Sequence, residues 1–188
     1  MLMRTPSDRK PIRQHSDHPC CGKPSLGGLA DVLYDEGKLA EAESFQQEEL
    51  ALRRKLLQKQ SPPPPASVSG FVDVSSRLTR TLIAETKFSE ADPLAREWLA
   101  FGEKNLPDDW QTFNARSLLG ETLLGQKKFA EAEPHFLAGY SGLKQHQDKI
   151  SPDRKSLVKQ AAQRLLRLYE STDRPDQAAV GKKKLEAE

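Results

Sequence analysis

Apolar residues recur along this chain at helical spacing, and the clearest stretch is LLGETLLGQKKFAEAEPHFLAGY, from Leu118 to Tyr140. Leu119 and Leu123 stand one helical turn apart, so both face the same side of a predicted first helix. Gly120 beside them is the small position where the second helix is expected to cross closely, with Ala132 facing it. A polar turn at 126–128 follows the first helix. The bulky residues after the turn are spaced by seven and four positions, which predicts a second helix, and they are Phe129, Phe136 and Tyr140.

The same pattern returns three more times in the sequence. Measured from Gly120 and Leu123, one copy lies 41 residues earlier, another a further 49 residues earlier, and a looser copy 46 residues later. The residues equivalent to Leu123 are Leu33, Leu82 and Tyr169. Periods in the forties that are built from two helices are typical of solenoids, in which stacked neighbours cover the apolar faces that one unit leaves exposed. We therefore expect an all-α solenoid of about four helix-turn-helix units.

The expected array spans 25–188, with units at about 25–58, 71–105, 110–148 and 152–187. Residues 1–24 are rich in Pro, Ser and basic side chains and have no apolar period, which predicts a disordered N-terminal arm. SPPPPASVSG, at 61–70, predicts a proline-rich loop between the first two units. An alternative interpretation of this stretch is a polyproline ligand for an SH3-like or WW-like partner.

The first helix of the array is expected to have a loose beginning. Ser25 is a candidate N-cap, but Gly27 and Gly28 follow in the first turn, where each glycine costs about 1 kcal/mol of helix stability. Nothing apolar precedes Leu26 to cover the outer side of this helix. The opening turn is therefore expected to fray.

The two tryptophans are interpreted as packing residues. Trp98 belongs to the apolar stripe of the second unit, together with Leu94 and Phe101, which predicts a core position. Trp110 begins the third unit and is expected to wedge between units.

These residues resemble a known repeat family. LGGLADVLYDEGKLAEAESFQQEELALRRKLL, from Leu26 to Leu57, resembles a tetratricopeptide repeat of the kinesin light chain type, whose units are longer than the ordinary tetratricopeptide repeat. LPDDWQTFNARSLLGETLLGQKKFAEAEPHFLAGYSGLKQ, from Leu106 to Gln145, is similar to the tetratricopeptide segment at the C-terminus of certain bacterial serine/threonine protein kinases. The resemblance covers about 26–188. It implies a right-handed superhelical solenoid, but it implies no particular activity, because such repeats carry many unrelated surfaces.

Composition and charge exclude several functional classes. The chain is 36% hydrophobic and 30% charged, which suits thin helical layers, and its net charge of +2 argues against a dedicated nucleic-acid binder. No stretch is apolar enough for a signal peptide or a membrane span, so we expect a cytoplasmic protein without a membrane partner. Cys20 and Cys21 are the only cysteines, and adjacent cysteines do not build a disulfide framework.

The sequence offers no catalytic or cofactor-binding motif. Phosphate-binding loops, H-E-x-x-H, G-x-S-x-G and the protein-kinase motifs are absent, so we expect neither enzyme activity nor a cofactor. One group of potential metal ligands stands in the N-terminal arm, as H-x₂-H-x-C-C at His15, His18, Cys20 and Cys21. Structural zinc sites usually use two separated ligand pairs, and no second pair follows, so a plain tail is favoured over a metal site.

The resemblance also implies where a partner binds. In this family the first helices line a concave groove, and the residue after each small crossing position points into it. Those residues are Asp31, Arg80, Glu121 and Arg167, which alternate in charge, and one turn earlier the groove receives Gly27, Ser76, Ser117 and Gln163. Tyr34 and Asn114 complete the candidate surface.

Two interpretations of these charges remain. Acidic residues at two of the four main positions argue against capture of a free acidic C-terminus, a task that related arrays perform with a clamp of Lys, Asn and Arg. Our hypothesis is that the groove around Tyr34, Arg80 and Glu121 binds an extended peptide of mixed charge. The alternative is that the four charges are a solvated face or pair across repeats.

Two functional hypotheses follow from the repeat pattern. The favoured one is a scaffold that binds a protein or peptide partner through the concave groove. The alternative is a detached or truncated regulatory C-terminal segment of a serine/threonine protein kinase, which has the same fold and docks kinase partners. An in-frame kinase domain upstream in the coding sequence would identify the second.

Overall fold

A computed structural model gives the structure of residues 25–59 and 62–186. The described residues form four antiparallel helix hairpins in sequence order, so the expected all-α array of about four units is confirmed. The first 24 residues, including the His and Cys cluster, lie outside the described part of the chain. The helices are α1 Leu26–Asp35, α2 Leu39–Gln58, α3 Pro65–Ala84, α4 Phe88–Asn105, α5 Trp110–Gly125, α6 Phe129–Gln145, α7 Ser156–Ser171 and α8 Pro175–Glu186.

Each hairpin turns through one residue with left-handed backbone geometry. These residues are Gly37, Thr86, Lys127 and Asp173, with φ between 53° and 76°. In every turn the following residue donates its N–H to a carbonyl five positions earlier, and the acceptors are Leu33, Leu82, Leu123 and Tyr169, the anchors of the sequence repeat. Such bonds satisfy carbonyls at the end of a helix. The repeat spacing read from the sequence is thus the spacing of the turns.

The hairpins stack so that their first helices form one layer. α3 contacts α5 and α5 contacts α7, while α2, α4 and α6 each pack between the two first helices beside them in the chain and α8 packs on α7. The main hydrophobic cluster runs from Leu50 on α2 to Ala178 on α8, and it includes Trp98, which is fully buried as expected. Stacking therefore buries the apolar faces that a single hairpin leaves open.

The close crossing of α5 and α6 differs from the one expected at Gly120. A Cβ atom built on Gly120 would meet the ring of Phe136, not Ala132, whereas one built on Gly139 would lie 2.9 Å from the backbone nitrogen of Ser117. The backbones therefore approach most closely at Gly139, because only glycine leaves room there.

The proline-rich stretch is shorter as a loop than expected. The 61–70 loop was predicted from four consecutive prolines, but α3 begins at Pro65 and contains 65–70, with Val68 buried. Proline is favoured at the first position of a helix, because its missing N–H would be unpaired there in any case. The second unit therefore begins near Pro65 instead of near Phe71.

Candidate functional site

The first helices line a groove with a volume of about 300 Å³. It crosses all four units, since α1, α3, α5 and α7 each contribute side chains, with one more from α2. Apart from Gly27, nine residues were expected in a partner groove, and five of them line it: Asp31, Tyr34, Ser76, Arg80 and Asn114. The lining residues that the sequence did not indicate are Asp35, Gln46, Asp73, Arg77, Trp110, Arg154, Ser156, Leu157 and Gln160.

Arg77 is the centre of the charge network at the α1 end of the groove. Its guanidinium lies 3.3 Å from a carboxylate oxygen of Asp31, 2.8 Å from Glu49 and 3.6 Å from Asp73. These contacts join α1, α2 and α3. A Cβ atom on Gly27 would collide with the guanidinium, so this glycine, which weakens the first turn of α1, makes room for Arg77.

Two aromatic rings of the groove are each covered by an arginine. The guanidinium carbon of Arg80 lies 5.0 Å from the centre of the Tyr34 ring, and that of Arg154 lies 5.6 Å from the Trp110 ring. Both distances are within the range of cation–π attraction. Arg154 also donates to Asp73 at 2.6 Å. Both stacks cross between units, so they fix the groove wall at two places.

Two residues that line the groove have buried hydrogen-bonding atoms without a partner in the described part of the chain. Asn114 donates from Nδ2 to the Ser76 hydroxyl at 3.1 Å, while its Oδ1 is buried and has no partner in the described part of the chain. The same holds for Oε1 of Gln46, a residue that is 1% exposed. Because buried polar atoms are nearly always paired in proteins, unpaired ones beside a groove indicate where a ligand donates.

Four expected groove residues have other positions. Glu121 accepts from Arg164 at 2.5 Å and from Arg167 at 2.7 Å, and Ser117 is fully buried under Arg164, which donates to its hydroxyl. Arg164 is buried, which lowers its guanidinium pKa against the opposing effect of Glu121. This cluster joins α5 to α7, so Glu121 and Arg167 pair with each other between repeats. Gln163 is exposed and does not line the groove.

The register of α7 explains the error at Gln163. The sequence indicated a helix from Pro152, but Pro152–Arg154 forms a single 3₁₀ turn and α7 begins at Ser156. Its buried face then presents Arg164 to Glu121 and Gln160 to the groove. The fourth unit matches the repeat pattern less well than the other three. Its alignment therefore did not determine which residues of α7 face the groove.

A sequence signal for part of the missed surface does exist on α3. Asp73, Arg77 and Arg80 recur at intervals of four and three, so they share one helical face with Ser76. Arg154 and Trp110 carry no such signal, because they meet only when the third and fourth units stack.

Within the described ranges, no three His, Cys, Asp or Glu side chains are grouped so as to hold a metal ion. The candidate ligands His15, His18, Cys20 and Cys21 lie outside those ranges, so the metal prediction is untested. No described helix is long and apolar enough to cross a membrane.

Comparison with known proteins identifies the repeat. The family model described as tetratricopeptide repeat matches residues 25–63. No curated protein matches the sequence significantly. Among solved structures, BtubC (BKLC) from P. vanneervenii is similar with a TM-score of 0.66 and 20% identity over 86% of this chain, which spans 60% of the length of that structure. A mutant of MamA is similar at a TM-score of 0.41 and 17% identity, over 86% of this chain and 94% of that one.

The family match over 25–63 agrees with the tetratricopeptide repeat expected from Leu26 to Leu57. Residues 25–63 carry a tetratricopeptide repeat, and such domains are generally protein-interaction modules and typically non-catalytic. The 20% identity to BtubC shows the shared fold alone.

Proposed function

We propose that this chain binds an extended peptide segment of a partner protein in the groove formed by α1, α3, α5 and α7. The observation that carries the proposal is the pair of buried amide oxygens, on Gln46 and Asn114, that line the groove without a partner in the described chain. An extended peptide has backbone N–H groups that donate to such oxygens. A helix would offer none from its middle, because its N–H groups are already bonded.

The charges of the groove favour a peptide that carries both signs. The lining contains three aspartates and three arginines, so it attracts no single charge. Arg80 stacks on Tyr34 and has no carboxylate partner in the described part of the chain, and Asp35 is exposed there without an ion pair. We infer that an acidic peptide residue pairs with Arg80 and a basic one with Asp35. Glu121 is not part of this contact, because Arg164 and Arg167 occupy it.

A peptide selection tests the proposal. A random-sequence peptide library is displayed and selected on the purified chain, and the affinity of selected peptides is measured by fluorescence anisotropy. Reversing both charges, with Asp35→Lys and Arg80→Glu, is expected to weaken binding by about tenfold or more, because like charges then face each other.

The matched control reverses one charge of each sign on second helices, with Glu48→Lys on α2 and Lys104→Glu on α4, both exposed and outside the groove lining. This variant should bind the peptides within about twofold of the parent chain. An equal loss of peptide affinity in both double variants, or no loss in either, would mean that the peptide binds elsewhere on the chain.

The second functional hypothesis, a regulatory segment of a serine/threonine protein kinase, stays a prediction. This hypothesis uses the same groove as the first one. It differs from the first in that the chain belongs, or once belonged, to a protein kinase. The genomic sequence upstream of the coding region decides it.

A further inference from the structure

A small cavity lies next to the groove, and two of its lining residues carry buried polar atoms without a partner in the described part of the chain. The cavity has a volume of about 10 Å³ and is lined by Trp98 and Asn114, among others. The indole Nε1 of Trp98 and the amide Oδ1 of Asn114 are both buried and unpaired. Trp98 is 0% exposed and Asn114 is 4% exposed, so bulk water reaches neither side chain freely.

The cavity adjoins the groove. Its walls and those of the groove share five residues: Asp73, Ser76, Trp110, Asn114 and Arg154. Asn114 stands where the two meet, with its Nδ2 bonded to Ser76. A side chain of a peptide in the groove would have to pass Asn114 to enter the cavity.

The two unpaired atoms define the chemistry of the group that fits between them. An indole N–H only donates, and an amide oxygen only accepts, so a single small group that pairs with both atoms accepts from Trp98 and donates to Asn114. A hydroxyl does both. An ammonium group cannot accept, an ionised carboxylate cannot donate, and a methyl group does neither. A hydroxyl also satisfies Asn114 in either orientation of its amide group.

Size selects among the groups that both donate and accept. A volume of about 10 Å³ is close to the smallest that holds one water-sized group. The hydroxyl of serine or threonine has that size, whereas the carboxamide of asparagine or glutamine is larger.

We propose that this cavity is a specificity subsite for a serine or threonine of the bound peptide, whose hydroxyl accepts from Trp98 Nε1 and donates to Asn114 Oδ1. The proposal rests on the proposed function, since it assigns one position of the peptide that the groove binds. It adds a sequence requirement that the charges of the groove do not impose.

The experiment is a mutant cycle between peptide and protein. Among peptides selected on the chain, one position is expected to be enriched in serine or threonine. Replacing that residue by alanine should weaken binding to the parent chain by about fivefold, the effect of one ordinary hydrogen bond. Trp98→Phe keeps an aromatic ring in the core and removes the N–H, so on this variant the same peptide change should alter binding by less than about twofold.

Circular dichroism tests whether the Trp98→Phe variant is folded. If that variant is unfolded, Asn114→Leu gives the same mutant cycle by removing the acceptor instead of the donor. Peptides that respond to the Asp35 and Arg80 reversal but show no serine or threonine preference would overturn the subsite and leave the proposed function standing. The cavity would then hold only water. Failure of the charge reversal to affect any peptide overturns both.

Discussion

At the scale of single residues, the buried pair of Glu121 and Arg164 shows how a polar residue of the repeat pattern becomes structural. Glu121 follows the small crossing residue Gly120, a position expected to face a partner. Its side chain is instead 13% exposed, and Arg164 beside it is 6% exposed. A buried guanidinium needs a counter-charge, because desolvation of an unpaired ion is costly.

Replacing Glu121 by Gln is therefore expected to lower the free energy of unfolding by about 2 to 4 kcal/mol, since Arg164 stays buried without a carboxylate. Equilibrium unfolding in urea measures this change in the free energy of unfolding. The control is Glu103→Gln, which removes the partner of Arg116 in an exposed pair at 2.6 Å and should cost less than about 1 kcal/mol. Equal urea midpoints for the two variants would mean that the buried ion pair stabilises the fold no more than the exposed one.

At the scale of elements, the approach of α5 and α6 depends on a glycine in the middle of a helix. Gly139 costs α6 some intrinsic helix stability, which its packing offsets. Its position against the backbone of α5, 2.9 Å from Ser117 N and 3.0 Å from Phe113 O for a built Cβ, allows no side chain without moving a helix.

Gly139→Ala is expected to destabilise the chain by about 1 to 3 kcal/mol, because the added methyl group overpacks a backbone contact. Gly181→Ala on α8 is the matched control, since a Cβ there would meet Leu166 at an ordinary 3.4 Å. That change should be neutral or stabilise by up to about 1 kcal/mol through helix propensity. Thermal melts of both variants test the pair, and a stabilised Gly139→Ala would contradict the crossing.

At the scale of the whole molecule, stability should rise from α1 toward the middle of the array. α1 packs mainly on α2 and exposes Val32 to 53%, whereas α5 contacts α3, α4, α6 and α7 and buries Leu118, Leu119 and Leu123 almost completely. Helices that are covered on several sides open only when their neighbours also open.

Hydrogen exchange followed by mass spectrometry tests this gradient. Amides of 26–35 are expected to exchange faster than amides of 115–125, because α1 opens without disturbing the main core. Equal protection of the two segments would refute the gradient. Since α1 supplies Asp31, Tyr34 and Asp35 to the groove, a bound peptide should slow exchange in 26–35 in particular.

The local pattern of the sequence was enough for the helix hairpins and their turns, although it misplaced the beginnings of α3 and α7. Apolar spacing at Leu119, Leu123 and Phe136 predicts the helices, and the offsets of 49, 41 and 46 residues are those between Gly37, Thr86, Lys127 and Asp173 in the turns. These features follow from the sequence because helical periodicity and helix termination depend on residues a few positions apart.

The groove was decided by the stacking of units. Tyr34, Arg80 and Asn114 were found from the repeat alignment, but the contacts of Arg77 with Glu49, of Arg154 with Trp110 and of Arg164 with Glu121 join residues 28 to 44 positions apart. The rotation of each helix about its axis sets these contacts, and that rotation minimises exposed apolar surface over neighbouring units together. For this reason the sequence determined that the first helices form one layer, while only the packed structure decided which polar side chains hold that layer together.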